Sequence, residues 1–338
     1  MFKIKFDYIK KKDKTYLSNL ICNYIKEKKI EINTFNLGLT LDKNIPEEEK
    51  IEIKLNFQKQ LILEIEKEGN IKRQNDFADI EIIIDFTRDK IELSLRPVYI
   101  YGRYIKHSRN LPQTIHYCFQ CKGRGCPFCN NTGKISSTSV QEILTPIFQK
   151  EFEAQDNKFH GCGREDIDVR MLGNGRPFVI ELINSKIRTK TQEQFNKIIS
   201  LINNKDILEI KDLRFSNKKE IVEIKNTEHK KKYLAKVSCE KQCDLNNLEK
   251  ILNKELEIKQ QTPLRVMKRR ANIIRTRKCS IVEINKINNL EFKITFIADG
   301  GLYIKELISS DENRTIPSIS QIINNTCICK ELDVLEII

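Results

Sequence analysis

Two periods of hydrophobic alternation divide this chain. Polar and apolar positions alternate through "IELSLRPVYIYG", Ile91 to Gly102, and the run before it, "ADIEIIIDF", is dense in β-branched residues. With "TRDK" as the turn between them, the two predict a hairpin. Upstream, the pattern predicts a strand at Met1 to Tyr8, a helix near Thr15 to Lys28 and a charged helix from about Pro46 to Lys67. The first hundred or so residues therefore read as a small α/β unit. Neither period holds over "GRYIKHSRNLPQTIHY", Gly102 to Tyr117, which reads as a connector carrying Arg103, Lys106 and Arg109. "SSTSVQEILTPIFQKEF" then opens on a capping-box spacing, Thr138 followed by Gln141, and continues apolar at helical spacing. Beyond Asp166, strand-like runs outnumber helices: "RPFVIELIN", "KKYLAKVSC", "CSIVEI", "EFKITFIA" and "LDVLEII". This succession predicts an α+β fold, a mostly antiparallel sheet with helices packed on it.

Length and charge narrow the class. A chain of 338 residues is long enough for two domains, each with its own core. The formal charge of +13 suggests a polyanionic partner, nucleic acid or an anionic membrane, although Lys, Ile, Asn and Glu dominate throughout and charge alone does not choose. No stretch approaches the roughly 20 apolar residues of a membrane span, and lysines interrupt "MFKIKFDYIKKKDK" where a signal peptide would be apolar. Several of the eleven cysteines stand singly (Cys22, Cys162, Cys279), which suits a reducing compartment. A cytoplasmic protein with no membrane partner is the expectation.

Four cysteines do not stand singly. In "CFQCKGRGCPFC", Cys118, Cys121, Cys126 and Cys129 form two CxxC turns separated by four residues. Each turn places two thiolates about one tetrahedral edge apart, so two turns complete a site for a soft divalent ion. Zinc is the natural occupant; two disulfides, free thiols and an iron–sulfur cluster are the alternatives. With all four positions filled by protein, the metal is structural. Its task is to stiffen a loop bearing Lys122, Arg124 and Lys134 for contact with a polyanion. Cys239 with Cys243, and Cys327 with Cys329, lack a partner pair and read as core or incidental thiols.

The stretch "FHGCGREDIDVRMLGNGRPF", Phe159 to Phe178, packs four glycines, three arginines and three acidic residues into a segment without helical periodicity. If it is an incipient strand, Asp166 and Asp168 share one face. Arg164, Arg170 and Arg176 are then cations able to hold phosphates or to depress a carboxyl pKa.

"GREDIDVRMLGNGRPF" closely resembles the signature of the archaeal and eukaryotic tRNA pseudouridine synthases of the Pus-ten family, which act on uridines 54 and 55 of the TΨC arm. In the wider superfamily this loop reads Gly-Arg-Thr-Asp, and its Asp is catalytic, so the resemblance assigns that role to Asp166. "GRYIKHSRNLPQT", "CFQCKGRGCPFCNNTGK" and "TSVQEIL" are similar to the connector, metal knuckle and following helix of the family. "KKYLAKV" resembles the segment whose tyrosine lies against the target base, here Tyr233. "GGLYIKELISSDENRTIPSISQII" resembles the segment whose basic residue pairs with the catalytic Asp, here Lys305. The resemblance runs from about Asp79 to the C-terminus. It implies a THUMP-like RNA-binding domain over residues 1–110, a four-cysteine zinc knuckle over 111–135 and a pseudouridine synthase catalytic domain over 136–338. The implied substrate is tRNA, with structural zinc, no organic cofactor and no obligate protein partner. Asp166 acts as a nucleophile toward C1′ or as a base at C2′; sequence does not separate these. Arg164, Arg176 and the run "MKRRANIIRTRK", with Arg269 and Arg270, are the candidates for binding tRNA. The competing function is a non-catalytic, zinc-containing RNA-binding protein. A methyltransferase needs a glycine-rich loop opening a helix, whereas "GCGRED" and "GNGRPF" lead into strands.

Overall fold

The computed structural model describes residues 2–5, 13–226, 229–268 and 270–338, which form two β-sheets with helices packed on them. The first sheet is built from β1 (Phe2–Lys5), β2 (Thr34–Thr40), β3 (Lys72–Arg73), β4 (Ile80–Asp85) and β5 (Lys90–Leu95), in the order β1-β5-β4-β2-β3. Between β1 and β2 lies α1 (Lys14–Glu27), which starts where the Asp13 carboxylate accepts from the Tyr16 N–H. Its buried positions Leu17, Ile21 and Ile25 repeat every four residues and meet Leu61 and Ile65 in one core. The predicted charged helix is one helical run in three parts. α2 (Glu47–Glu52) passes through a wide π turn at Ile53–Gln58 into α3 (Lys59–Gly69).

The alternating run Ile91 to Gly102 is not one strand. Pro97 has no N–H to give a ladder, and the run breaks there. β5 ends at Leu95 in the first sheet, while β6 (Val98–Lys106) begins in the second. The second correction is to the expected connector, whose first five residues continue β6. Val98, Ile100, Gly102, Tyr104 and Lys106 all fall on its buried face.

The second sheet continues with β7 (Asp156–Gly161), β8 (Arg170–Ile183), β9 (Leu208–Ser216), β10 (Lys231–Cys239) and β11 (Glu255–Gln261). It is completed by β12 (Ile274–Lys286), β13 (Glu291–Ala298), β14 (Thr315–Ile316) and β15 (Cys327–Ile337). The order is β14-β11-β12-β13-β10-β15-β8-β6-β9, with β7 paired to β8. Among the described residues every pairing in it is antiparallel except β8 with β15. The architecture is thus mixed α+β with a mostly antiparallel main sheet. Its helices are α4 (Val140–Glu151), α5 (Gln192–Ile202), α6 (Lys218–Asn226), α7 (Asn246–Glu249), α8 (Ile304–Ser309) and α9 (Ile319–Ile322). α4 is capped one residue later than its sequence suggests: Ser139, not Thr138, accepts from the Glu142 N–H. Phe148 and Phe152, at the end of α4, join Phe178, Phe195, Phe292 and Phe296 in the main core. None of the described helices is long and apolar enough to cross a membrane.

The two sheets touch beside the Pro97 joint. Glu31 donates its N–H to the Lys186 carbonyl at 2.9 Å, and its carboxylate accepts from the N–H groups of Arg188 and Thr189 and from the Thr189 hydroxyl. Arg188 in turn donates to the Arg96 carbonyl at 2.7 Å and lies 3.5 Å from Asp79.

Candidate active site and cysteine knuckle

Strand parity sets the foundation of the site. On β6 and β8, Tyr104 and Arg176 are direct cross-strand partners, so their side chains leave the sheet together. Both meet Glu165, which is buried. The Tyr104 hydroxyl lies 2.9 and 3.0 Å from the two carboxylate oxygens. Arg176 Nε stands 2.7 Å from Glu165 but out of line for a hydrogen bond, so charge makes that contact. Arg176 also donates to the Cys162 carbonyl at 2.6 Å. It is only 1% exposed and therefore cannot meet a phosphate as its sequence position suggests. Here the expectation is corrected: Arg176 braces the turn from beneath.

Lys106, two residues beyond Tyr104 on the same face, is wholly buried. Its ammonium lies 4.0 Å from Glu165 and donates to the carbonyls of Leu111 at 2.8 Å, Ile167 at 2.9 Å and Asp166 at 3.3 Å. Burial pushes this amine down to about 8, against the opposing pull of the Glu165 carboxylate. Gln113 joins the same network, donating to the Tyr104 hydroxyl at 2.8 Å and to the Gly163 carbonyl at 2.9 Å. At the far side of the turn Arg109 donates to the Asp168 carbonyl at 3.0 Å and pairs with the buried Asp333, which also holds Arg170 at 2.9 and 2.7 Å. The backbone of Asp166 to Asp168 is thus held from below by cations whose own charges are satisfied.

Asp166 to Asp168 is a turn, closed by the Val169 N–H on the Asp166 carbonyl at 3.1 Å, and β8 begins only at Arg170. The shared strand face expected for the two aspartates is therefore replaced by a bend, with both carboxylates at the surface. Gly173 shows why the following strand needs glycine. Its φ is +57°, and a Cβ there would lie 2.0 Å from the Leu335 carbonyl oxygen on β15.

Distant segments deliver the cations above the turn. Lys305, from α8, lies 2.7 Å from both oxygens of Asp168 and 3.5 Å from Asp166. Its tighter partner is Asp168. Partial burial works to raise the Asp168 carboxyl, but the hydrogen bond and charge of Lys305 outweigh it and hold that carboxyl below its ordinary value. Asp166 has a nearer cation that sequence reasoning missed. Arg265, between β11 and β12, lies 3.1 Å from it. Glu306 holds Arg265 Nε at 2.5 Å, and the guanidinium sits over the Tyr303 ring at 5.7 Å.

Of the remaining candidates, Tyr233 stands within electrostatic reach of Arg176 and Glu165. Tyr233, on β10, is 9% exposed, and burial pushes its phenol up to about 12. Arg164 is exposed and forms no ion pair among the described residues. Arg270 is exposed, and Arg269 lies outside the described residues. Cys239 and Cys327 face one another across β10 and β15 with Sγ atoms 3.7 Å apart, buried thiols of the core.

The knuckle follows β6 in the chain. Its four Sγ atoms all lie within 4.8 Å of one another. The separations are 3.8 Å for Cys118–Cys126, 3.8 Å for Cys121–Cys129 and 3.7 Å for Cys126–Cys129. A tetrahedron with metal–sulfur bonds of about 2.3 Å has an edge of about 3.8 Å, whereas a disulfide needs about 2.05 Å. N–H groups of Gly125, Cys126 and Gly133 point at Cys121 or Cys129 sulfur at 3.2 to 3.3 Å, as suits thiolates. The four cysteines can hold a metal ion.

Residues 99–338 match the family described as Pus10, C-terminal. Curated relatives called tRNA pseudouridine synthase Pus10 are similar to this chain. One from Methanocaldococcus jannaschii is 47% identical over 265 residues, which are 78% of this chain and 58% of that protein. Another from Korarchaeum cryptofilum is 42% identical, covering 77% and 70%, and one from Archaeoglobus fulgidus is 38% identical, covering 85% and 79%. The chain thus spans little more than half of the first relative and more of the other two.

Proposed function

Because the chain belongs to the Pus10 family, we propose that it is a tRNA pseudouridine synthase, acting on uridine 54, uridine 55 or both in the TΨC arm, with Asp166 as its catalytic residue. The observation that carries this is an exposed carboxylate on a turn clamped from beneath, with Arg265 at 3.1 Å and Lys305 at 3.5 Å. Two cations stand against the carboxylate that serves as nucleophile or base. Isomerisation breaks N1–C1′, turns the uracil and forms C5–C1′; the C5 proton is lost and N1 gains one, so no redox partner enters. Asp166 attacks C1′ or removes the C2′ proton. Tyr233, kept neutral by burial, packs against the uracil face and relays the C5 proton through its hydroxyl, accepting it on oxygen as its own phenolic proton passes to solvent.

The target uridine must leave its stack, at a cost of about a few kcal/mol. Arg164, Arg269 and Arg270 offset that cost through phosphate contacts. The unit of β1 to β5 serves as a THUMP-like RNA-binding domain, and the protein works in the cytoplasm. Incubation with an unmodified tRNA transcript, followed by carbodiimide-blocked primer extension, tests the whole assignment. A block at position 54 or 55 is expected; binding without any block would identify a non-catalytic RNA-binding protein instead.

The knuckle holds zinc, the closed-shell ion that suits four thiolates. Metal analysis should give one zinc per chain, and Cys121→Ser should lose it. Less than half an equivalent in the unaltered protein, or full retention in the variant, would refute the assignment. With no open coordination position, losing the ion should weaken RNA binding more than the chemical step.

Binding should also depend steeply on salt, with log affinity falling by about 0.7 to 0.9 per decade of salt for each phosphate contacted. Replacing Arg269 and Arg270 together by Ala should flatten the slope by up to about twice that amount. An unchanged slope and affinity would leave this basic run as a solvated face.

A further inference from the structure

The knuckle exposes aromatic surface that its own fold does not use. Phe119 is 70% exposed, Tyr117 56% and Phe128 54%, while the buried core of the knuckle consists of its cysteines. Phe119 and Phe128 each sit inside a CxxC turn, "CFQC" and "CPFC". A turn that directs both thiols inward directs an intervening side chain outward, so the metal site itself presents the two rings. They meet edge to face, with centroids 5.0 Å apart and planes at 64°. Tyr117 is braced by the chain: a Cβ on Gly123 would lie 3.1 Å from its ring.

Charge identifies what this surface fits. No acidic residue occurs between Glu92 and Glu142, and Lys122 and Arg124 stand exposed in the loop between the two CxxC turns. A hydrophobic protein groove matches the rings alone and an anionic membrane offers no π-face to stack on, whereas a single-stranded polynucleotide matches the rings as stacking surfaces and the cations together. Its bases offer π-faces and its backbone offers phosphates. The segment that leads into the knuckle joins the candidate active site: Lys106 donates to the Leu111 carbonyl, and Gln113 donates to the Tyr104 hydroxyl and the Gly163 carbonyl.

We propose that Phe119 and Phe128 form a stacking platform for unpaired bases of the RNA substrate, outside the pocket of the reacting uridine, with Lys122 and Arg124 on the flanking phosphates. This rests on the synthase assignment only for the identity of the RNA. The test therefore uses fluorescence anisotropy with two ligands, a labelled oligouridylate and the full tRNA transcript. The parent protein is compared with Phe119→Ala/Phe128→Ala and Phe119→Leu/Phe128→Leu. Base–aromatic stacks contribute enough that both variants should bind oligouridylate about tenfold or more weakly. Metal content and the thermal midpoint, measured alongside, should stay with the parent protein. Leucine keeps apolar area and discards the π-face. If the Leu variant binds like the parent while Ala does not, an apolar contact replaces stacking and the proposal fails. Equal binding by all three proteins also overturns it. Weakened binding in a protein that never isomerises uridine would refute the synthase assignment and leave the platform standing.

Discussion

Asp166→Asn is expected to bind a tRNA transcript with near-normal affinity and to form no pseudouridine in a single turnover. The substitution removes the negative charge and keeps the shape. Arg265 still has Glu306 at 2.5 Å and Lys305 still has Asp168 at 2.7 Å, so no cation is left without a partner. Asp166 is 41% exposed at its side chain, and exposed pairs of this kind contribute at most about 1 kcal/mol to stability. The fold therefore survives, and lost turnover reports chemistry. Asp168→Asn should slow the reaction without abolishing it, because its carboxylate serves mainly to hold Lys305 over the turn. Lys305→Ala and Arg265→Ala should each lower the rate, and the double variant should approach Asp166→Asn, since two cations share one carboxylate. Turnover by Asp166→Asn, or a silent Asp168→Asn beside an active Asp166→Asn, would move the catalytic role.

The second large effect lies beneath the turn. Glu165→Gln leaves Arg176 and Lys106 buried without a counter-charge, and breaking a buried pair in this way costs about 3 to 5 kcal/mol. For a domain of this size that lowers the thermal midpoint by about 10 °C. Lys106→Met should behave differently. It discards a desolvated cation but frees the carbonyls of Leu111, Asp166 and Ile167, so stability at neutral pH should change little while the turn loosens. A misplacement of about 1 Å costs about a hundredfold in rate. Burial holds Lys106 near 8, below its ordinary value of about 10.4, so between these values the unfolded chain binds the proton that the folded chain has released. This group's contribution to stability accordingly rises as pH climbs through that window. The rise should be present in the parent protein and absent from Lys106→Met. Equal melting of Glu165→Gln and the parent would show that the buried charges are not coupled as their geometry implies.

How much of this was legible in the sequence depended on how local each feature is. The knuckle needs four cysteines within twelve residues, and "GRED" is four consecutive residues; both announce themselves. Arg265 could not, because it reaches Asp166 across 99 positions and no short motif surrounds it. Lys106 was within reach. Its parity with Val98, Ile100 and Tyr104 places it on the inner face of β6, but loss of alternation among outward positions disguised the strand as a connector. Glu165 was hidden by composition, one acid among three in a charged loop, and only the cross-strand pairing of Tyr104 with Arg176 shows that it points inward. The expected strand face for Asp166 and Asp168 failed for a related reason: β8 starts later than the motif does.

The joint at Pro97 has a mechanical consequence. The chain crosses from one sheet to the other between Leu95 and Val98, and Glu31, together with Arg188 on the Arg96 carbonyl, ties that same joint to the loop at Lys186 to Thr189. A crossing strapped at its own proline is a splinted joint, not a free pivot. Under the proposed function, an RNA held by both halves would meet them across that splint.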